Sequence, residues 1–329
     1  MLNDLIILDE VQENYLQDVL EFIKEWENDA DYIEVKTSGS TGEPKNIQLT
    51  KEKVRLSAQA TGAFFAFEKG KTILLNLSPS YIAGKLQIVR AIEHEMKLVI
   101  APLGSNPLIY LEQPIYFAAF VPSQIQTIIE EEETIEKLQL IEHIIIGGAP
   151  LPPPVENELS FLHKHTYVSF GMTETITHFA LRRIGTPIYN CLPNYQISVD
   201  QRSCLVIQPN EIVEDLLITN DVIDVIDEKS FKWKGRVDFV INSGGVKIHP
   251  EKVEKMIAHL IPHNNFYITS KQDDKLGEIA ILLIEGEFEV ADLLEQTKSY
   301  LPRYHSPKEV YLKGAFNYTE SGKIIREKF

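Results

Sequence analysis

The sequence predicts an α/β fold: a large N-terminal layered α/β domain with antiparallel β elements, followed by a small C-terminal α+β domain. Three observations lead there. Short β-branched runs alternate with helix-length segments through the first half of the chain, the alternation that builds a largely parallel sheet between helices. From about residue 188 the pattern turns to closely spaced short strands, which read as antiparallel meanders. After Gly235 comes a compact mixture of helix, strand, strand and helix.

In order along the chain, residues 11–29 place Val11, Tyr15, Val19, Phe22, Ile23 and Trp26 on one helical stripe at spacings of three and four. Strands are expected at 72–77, 98–101, 116–121, 143–146 and 166–169, with helices at 51–67, 83–95, 122–139 and 152–164 between them. The meanders are 196–199, 204–207, 216–219 and 231–234. Pro250 and Glu251 open a helix at 250–260, strands follow at 265–269 and 279–285, and a last helix at 291–300 precedes a polar tail. No fixed-period repeat or low-complexity tract interrupts this order.

The 329 residues are 44% apolar and 24% charged, which is the composition of a globular chain with ample core. A net charge of −16 opposes nucleic-acid and anionic-membrane binding, so any anionic ligand needs a local site. Cys191 and Cys204 sit in no CxxC or Cys/His cluster, which leaves a disulfide framework and a structural zinc unsupported. The N-terminus lacks a basic signal-like region, and runs such as 279–284 fall far short of the roughly 20 residues that span a bilayer. A cytoplasmic enzyme or binding protein, without membrane insertion, is expected.

Four stretches could carry chemistry. Thr37, Ser38, Gly39, Ser40, Thr41 and Gly42, then Glu43, Pro44 and Lys45, supply hydroxyl donors, a backbone free to approach an anion and one compact positive charge. The spacing is not that of a Walker A loop, and alone the stretch reads equally as a polar turn. Thr166–Ser169 runs into Phe170, Gly171, Met172, Thr173 and Glu174. A strand that ends in an aromatic-Gly turn and a hydroxyl-acid pair suits a ligand site, with Glu174 able to hold Mg²⁺, although a capped helix start fits as well. Thr219-Asn220-Asp221, Gly235-Arg236-Val237-Asp238 and Asn242–Ile248 offer a diol acceptor, a phosphate partner and a Gly244-Gly245 turn, or else ordinary hairpins. The tail offers Lys323 after Gly322, or else a solvated basic end.

Together and in this order, the four stretches resemble the adenylate-forming (AMP-binding) superfamily of acyl- and aryl-CoA ligases, luciferases and adenylation domains, over residues of about 32–329. The resemblance implies ATP, Mg²⁺ and coenzyme A as cofactor and co-substrates, and a small-molecule carboxylic acid as substrate. It implies that Thr37, Ser38, Gly39, Ser40, Thr41, Gly42 and Lys45 grip the β- and γ-phosphates. Gly147, Gly148 and Ala149 face Ser169, Phe170, Gly171, Met172 and Thr173 across an adenine slot, with Phe170 stacking on the base. Glu174 becomes the metal ligand, Asp221 the ribose acceptor, Arg236 a ribose or phosphate partner, and Lys323 the lysine bridging carboxylate and α-phosphate. It further implies a large domain at 1–235 and a mobile lid domain at 236–329, turning about a hinge at Asp238.

Within the superfamily, Tyr81–Lys85, Gly147–Leu151, Thr173–Thr175 with Thr177-His178, Thr219–Asp221 and Ile241–Ile248 are similar to the o-succinylbenzoate–CoA ligases of menaquinone biosynthesis. That acid carries two carboxylates of which one is activated, so the other needs partners. Lys85, His178 and Arg182, with Arg183 as a further candidate, are expected to supply them. A ligase for another aryl or short acyl acid, a carrier-loading adenylating enzyme, and a non-catalytic nucleotide-binding homologue are the alternatives. Only 36 residues precede Thr37, far fewer than is usual in the family. A shortened N-terminal region is therefore expected, with a sheet either smaller or covered by a partner chain, for which a homo-oligomer is one route.

Overall fold

The computed structural model describes residues 4–36, 46–318 and 324–329. The chain divides into two compact units, Met1–Gln196 with Ile207–Leu217, and Ile197–Val206 with Ile218–Phe329.

The first unit contains β1 (Leu5–Ile7), α1 (Glu13–Glu27), β2 (Tyr32–Lys36), β3 (Asn46–Thr50), α2 (Lys51–Phe65), β4 (Thr72–Leu75), α3 (Ile82–Glu93), β5 (Lys97–Ile100) and β6 (Ile115–Phe120). It continues with α4 (Pro122–Glu130), α5 (Glu132–Ile135), β7 (Ile141–Ile146), α6 (Pro153–Leu162), β8 (Thr166–Gly171), β9 (His178–Arg183) and β10 (Ile188–Cys191). Its sheet runs β1-β5-β4-β6-β7-β8-β9-β10, parallel as far as β8 and antiparallel beyond. The central strands are apolar on both faces, as a sheet between helix layers requires. Leu74, Val99, Phe120, Ile144 and Ile146 pack with Ile125, Ile128 and Leu159 of the covering helices. β2 and β3 form a separate antiparallel pair closed by Lys36↔Asn46.

The helix expected over 122–139 is broken. Glu131 adopts extended backbone between α4 and α5, within four consecutive acids whose like charges disfavour a continued helix. Asn106 Nδ2 holds the break, donating to Glu131 at 2.5 Å and to Thr134 Oγ1 at 2.9 Å.

The second unit contains β11 (Ile197–Val199), β12 (Cys204–Ile207), β13 (Leu217–Asp227), β14 (Ser230–Arg236), β15 (Ile241–Ser243), β16 (Val246–Ile248), α7 (Pro250–Ile257), β17 (Phe266–Asp273), β18 (Gly277–Glu285), α8 (Leu293–Tyr300) and β19 (Glu309–Lys313). Ile207 and Leu217, the end residues of β12 and β13, group with the first unit. Strands β14, β13, β12 and β11 lie in that order, and β16-β15-β18-β17 form a second sheet with β19 parallel to β18. Val253, Ile257 and Leu293 pack on Ile268, Leu282 and Ile284 in its core. The β13–β14 hairpin groups with the C-terminal elements, so the units divide earlier than the expected boundary after residue 235. The reason is local: Gly235 of β14 lies against Glu251 of α7, so closely that a Cβ there would be 2.3 Å from Oε2.

Candidate nucleotide and acid site

In the first unit, β6, β7 and β8 end side by side. Gly147, just past β7, donates its backbone N–H to the Phe120 carbonyl at 3.0 Å. A Cβ on Gly147 would stand 2.4 Å from Ser169 Oγ, so a side chain there requires the serine hydroxyl to move. Gly148 follows in the left-handed region at φ +91°. Ser169 donates to the Ile146 carbonyl at 3.1 Å. The Gly147-Gly148-Ala149 turn therefore lies against Ser169 and the start of the Phe170 turn, at the carboxyl ends of parallel strands where α/β ligands bind.

Phe170 is half-buried, with its ring edge-on to Phe179 at 5.7 Å and to Tyr189 at 5.3 Å. Beyond Gly171 the chain makes a 3-10 turn over Thr173–Thr175, tied by the Thr175 hydroxyl donating to the Thr177 carbonyl at 2.6 Å. Ile176 closes it at φ +65°, a left-handed conformation that a β-branched residue rarely adopts and that marks functional turns. This turn presents Glu174 to solvent. Among the described residues Glu174 makes no hydrogen bond or ion pair, which leaves its oxygens available to a hard cation. Among the described residues no three or more His, Cys, Asp or Glu side chains group as a metal site.

His178, at the start of β9, is buried with Nε2 3.4 Å from Thr61 Oγ1 of α2. Burial, and then the charge of Arg90, hold its pKa well below the usual imidazole range, so it is neutral at pH 7. Arg90 itself, on α3, is only 2% exposed. Its Nη1 donates to Gln87 Oε1 at 2.7 Å, and its guanidinium lies 5.8 Å from the Phe117 ring centroid. Its Nε has no partner, and no carboxylate among the described residues pairs with it. Burial pushes its pKa down to about 9, which still leaves it charged at pH 7. A buried cation without a counter-ion is costly unless an anion completes it.

The other two expected cations are engaged by the chain itself. Lys85 Nζ lies 3.0 Å from Glu25 Oε2 and 4.1 Å from the Phe22 ring centroid. Asp18, Glu21 and Glu25 line the adjoining cavity of about 230 Å³, surroundings that repel a carboxylate. Arg182 is clamped by Glu156, with Nη1 and Nη2 each 2.6 Å from one carboxylate oxygen. Burial works against its charge, but Glu156 outweighs burial and raises its pKa. Arg183 is exposed and donates to the Lys164 carbonyl at 3.1 Å. Arg90 was not singled out by sequence. The available signal was an arginine within the apolar face Leu86, Val89, Ala91 of α3.

In the second unit, Asp221 and Arg236 are register partners across β13 and β14. Asp221 is buried and accepts from Trp233 Nε1 at 2.9 Å, with Arg236 Nη1 3.8 Å from its other oxygen. Asp238, in the 3-10 turn Val237–Phe239, holds Arg236 Nη2 at 2.8 Å. The residues Thr37, Ser38, Gly39, Ser40, Thr41, Gly42 and Lys45, and Lys323, lie outside the described residues.

A glycine turn beside an aromatic turn at the carboxyl ends of parallel strands stands where α/β folds bind their ligands. The chain belongs to the AMP-binding enzyme family, whose pattern matches residues 27–204. The 2-succinylbenzoate–CoA ligase of Staphylococcus epidermidis is 25% identical over 324 residues, covering 89% of this chain and 68% of that protein. The Bacillus subtilis 2-succinylbenzoate–CoA ligase is 23% identical, covering 88% and 66%. The chain thus spans about two thirds of the length of these relatives. Among solved structures, an acyl-CoA synthetase (AMP-forming)/AMP-acid ligase II-like protein from Dyadobacter fermentans is 33% identical, covers 95% of this chain and 93% of that chain, and has a TM-score of 0.67. O-succinylbenzoate coenzyme A synthetase of Bacillus subtilis, in complex with ATP and magnesium ion, shares the fold at TM-score 0.76 with 18% identity, over 89% and 68% of the two chains. Among the described residues, no helix is long and apolar enough to cross a membrane.

Proposed function

We propose that the protein is an ATP-dependent acid–CoA ligase whose substrate is o-succinylbenzoate, acting in the cytoplasm, where ATP and coenzyme A are available. In the first half-reaction the aliphatic carboxylate of the acid attacks the α-phosphorus and pyrophosphate leaves. In the second, the thiolate of coenzyme A attacks the acyl carbonyl and AMP leaves. Phe170 and the Gly147–Ala149 turn bind the adenine, while Asp221 accepts from the ribose hydroxyls. Bound Mg²⁺ neutralises phosphate charge, and Glu174 is the side chain placed to hold it. Lys45 and Lys323 are assigned the phosphates and the carboxylate–phosphate bridge, and Arg236 a ribose or phosphate contact. Little proton transfer is required, so positioned cations rather than a general base carry the catalysis.

The observation that supports a dicarboxylic acid is Arg90, a buried guanidinium with no carboxylate partner among the described residues, beside a neutral His178. We assign the second carboxylate to Arg90 rather than to Lys85 or Arg182, whose charges Glu25 and Glu156 already meet. His178 keeps a place in this pocket as a neutral polar neighbour. The test compares o-succinylbenzoate with 3-benzoylpropionate, which lacks only the ring carboxylate, by pyrophosphate release. Wild type should prefer the dicarboxylate by at least about tenfold in kcat/KM, and Arg90→Gln should abolish the preference. Equal use of both acids by wild type would remove the dicarboxylate reading.

A further inference from the structure

Asp238 is joined to the body of the second unit by a relay of side chains outside the nucleotide contacts. Arg202, in the turn between β11 and β12, is anchored by Asp200: its Nε donates to Oδ2 at 2.8 Å and its backbone N–H to Oδ1 at 2.8 Å. Its Nη2 donates to the Thr219 carbonyl at 3.2 Å and its Nη1 to Asn220 Oδ1 at 3.1 Å. Asn220 Nδ2 in turn donates to both oxygens of Asp238, at 3.1 and 3.3 Å. A guanidinium only donates and a carboxylate only accepts, so one orientation of the Asn220 amide satisfies both neighbours. Arg202 therefore fixes which face of Asn220 meets Asp238.

We infer that Asn220, oriented by Arg202, is a positioning residue that sets the balance between two arrangements of the chain at Asp238. This rests on the proposed role of Asp238 as the hinge between the two half-reactions. Arg236 shares the β13–β14 hairpin with Asn220, as the register partner of Asp221, so both hold Asp238 to that hairpin, Arg236 through Nη2 and Asn220 through Nδ2. A turn about Asp238 that carries its carboxylate away from β13 breaks the Asn220 contact. Asp238 is 44% exposed at its side chain, so the contact competes with water and is weak. A weak contact suits an equilibrium between states of similar free energy, which a strong one would freeze.

The test measures both half-reactions separately, as ATP–pyrophosphate exchange with o-succinylbenzoate and as thioester formation from supplied acyl-adenylate and coenzyme A. Asn220→Ala and Arg202→Ala should change the ratio of the two rates by roughly threefold or more, in the same direction. Asn220→Asp, which sets carboxylate against carboxylate, should change it further in that direction. A purely structural role predicts equal loss in both half-reactions together with a lower Tm, and that result would overturn the inference. A substrate-free readout is the distance distribution between spin labels introduced by Lys229→Cys and Lys298→Cys in a Cys191→Ser, Cys204→Ala background. It should differ between wild type and Asn220→Asp, and identical distributions would contradict the inference. Asp238→Ala separates the two levels. If it moves the rate ratio while the Asn220 variants do not, the relay fails and the hinge stands; if it moves neither ratio nor distance, both fail.

Discussion

Trp233 shows how one side chain can tune a ligand group that it does not replace. Its indole N–H donates to Oδ1 of the buried Asp221 at 2.9 Å and so orients the carboxylate proposed to accept from the ribose. Trp233→Phe keeps the ring and removes that one donor. KM for ATP should rise roughly threefold to tenfold while kcat stays within about twofold, as expected when ground-state binding alone is weakened. An unchanged KM in steady-state kinetics would mean that Asp221 needs no such support. The Gly147 turn was legible because its chemistry is local: the close approach it makes is to Ser169, itself within a recognisable strand end. Arg90 was not legible, because its significance is the absence of a carboxylate among neighbours brought together only by folding.

At the scale of elements, β9 and α6 are tied by Arg182 and Glu156, 26 residues apart. Removing one partner of a buried, bidentate pair leaves the other charge uncompensated, so Glu156→Ala should destabilise the fold by about 3 kcal/mol. Arg182→Met removes the other charge with an apolar chain, which should cost less, and KM for the acid should be unaffected by it. Urea unfolding and acid titration check this, and a tenfold higher acid KM in folded Arg182→Met would return Arg182 to the substrate pocket. β9 was missed in the sequence because Thr173–Thr175 reads as a helix start; the structure makes only one 3-10 turn before the strand. The parallel strands β4 to β8 were legible from their short apolar runs, and α1 from its stripe, whereas the short parallel strands β1 and β19 were not. The break at Glu131 depends on Asn106, which no periodicity reveals.

α7 supplies a pH-dependent contact to β14. Burial, followed by the nearby charge of Glu254, raises the pKa of Glu251 to about 7, against a partial offset from Arg326. A carboxyl whose folded pKa exceeds its unfolded value contributes most to stability when protonated. Its contribution therefore falls as pH rises from about 4.5 to about 7 and is flat above. Glu251→Gln should raise Tm by a few degrees at pH 8 and much less at pH 5. The same gain at both values, measured by differential scanning calorimetry, would refute the buried-charge explanation.

On the scale of the whole molecule, a chain of net charge −16 is proposed to gather three anions: ATP, a dicarboxylic acid and coenzyme A. General attraction cannot do this, so binding must depend on a few placed groups. Two of the cations that sequence offered, Lys85 and Arg182, are already neutralised by acids of the chain, while Arg90 is held buried with no carboxylate partner among the described residues. Of the residues proposed to take part, Glu174 and Arg90 belong to the first unit and Asp221, Arg236 and Asp238 to the second. The most direct measurement is mass spectrometry of the products formed from ATP, Mg²⁺, coenzyme A and o-succinylbenzoate. The expected products are o-succinylbenzoyl-CoA, AMP and pyrophosphate in equal amounts; nucleotide binding without thioester, or a preference for benzoate, would contradict the proposed ligase activity.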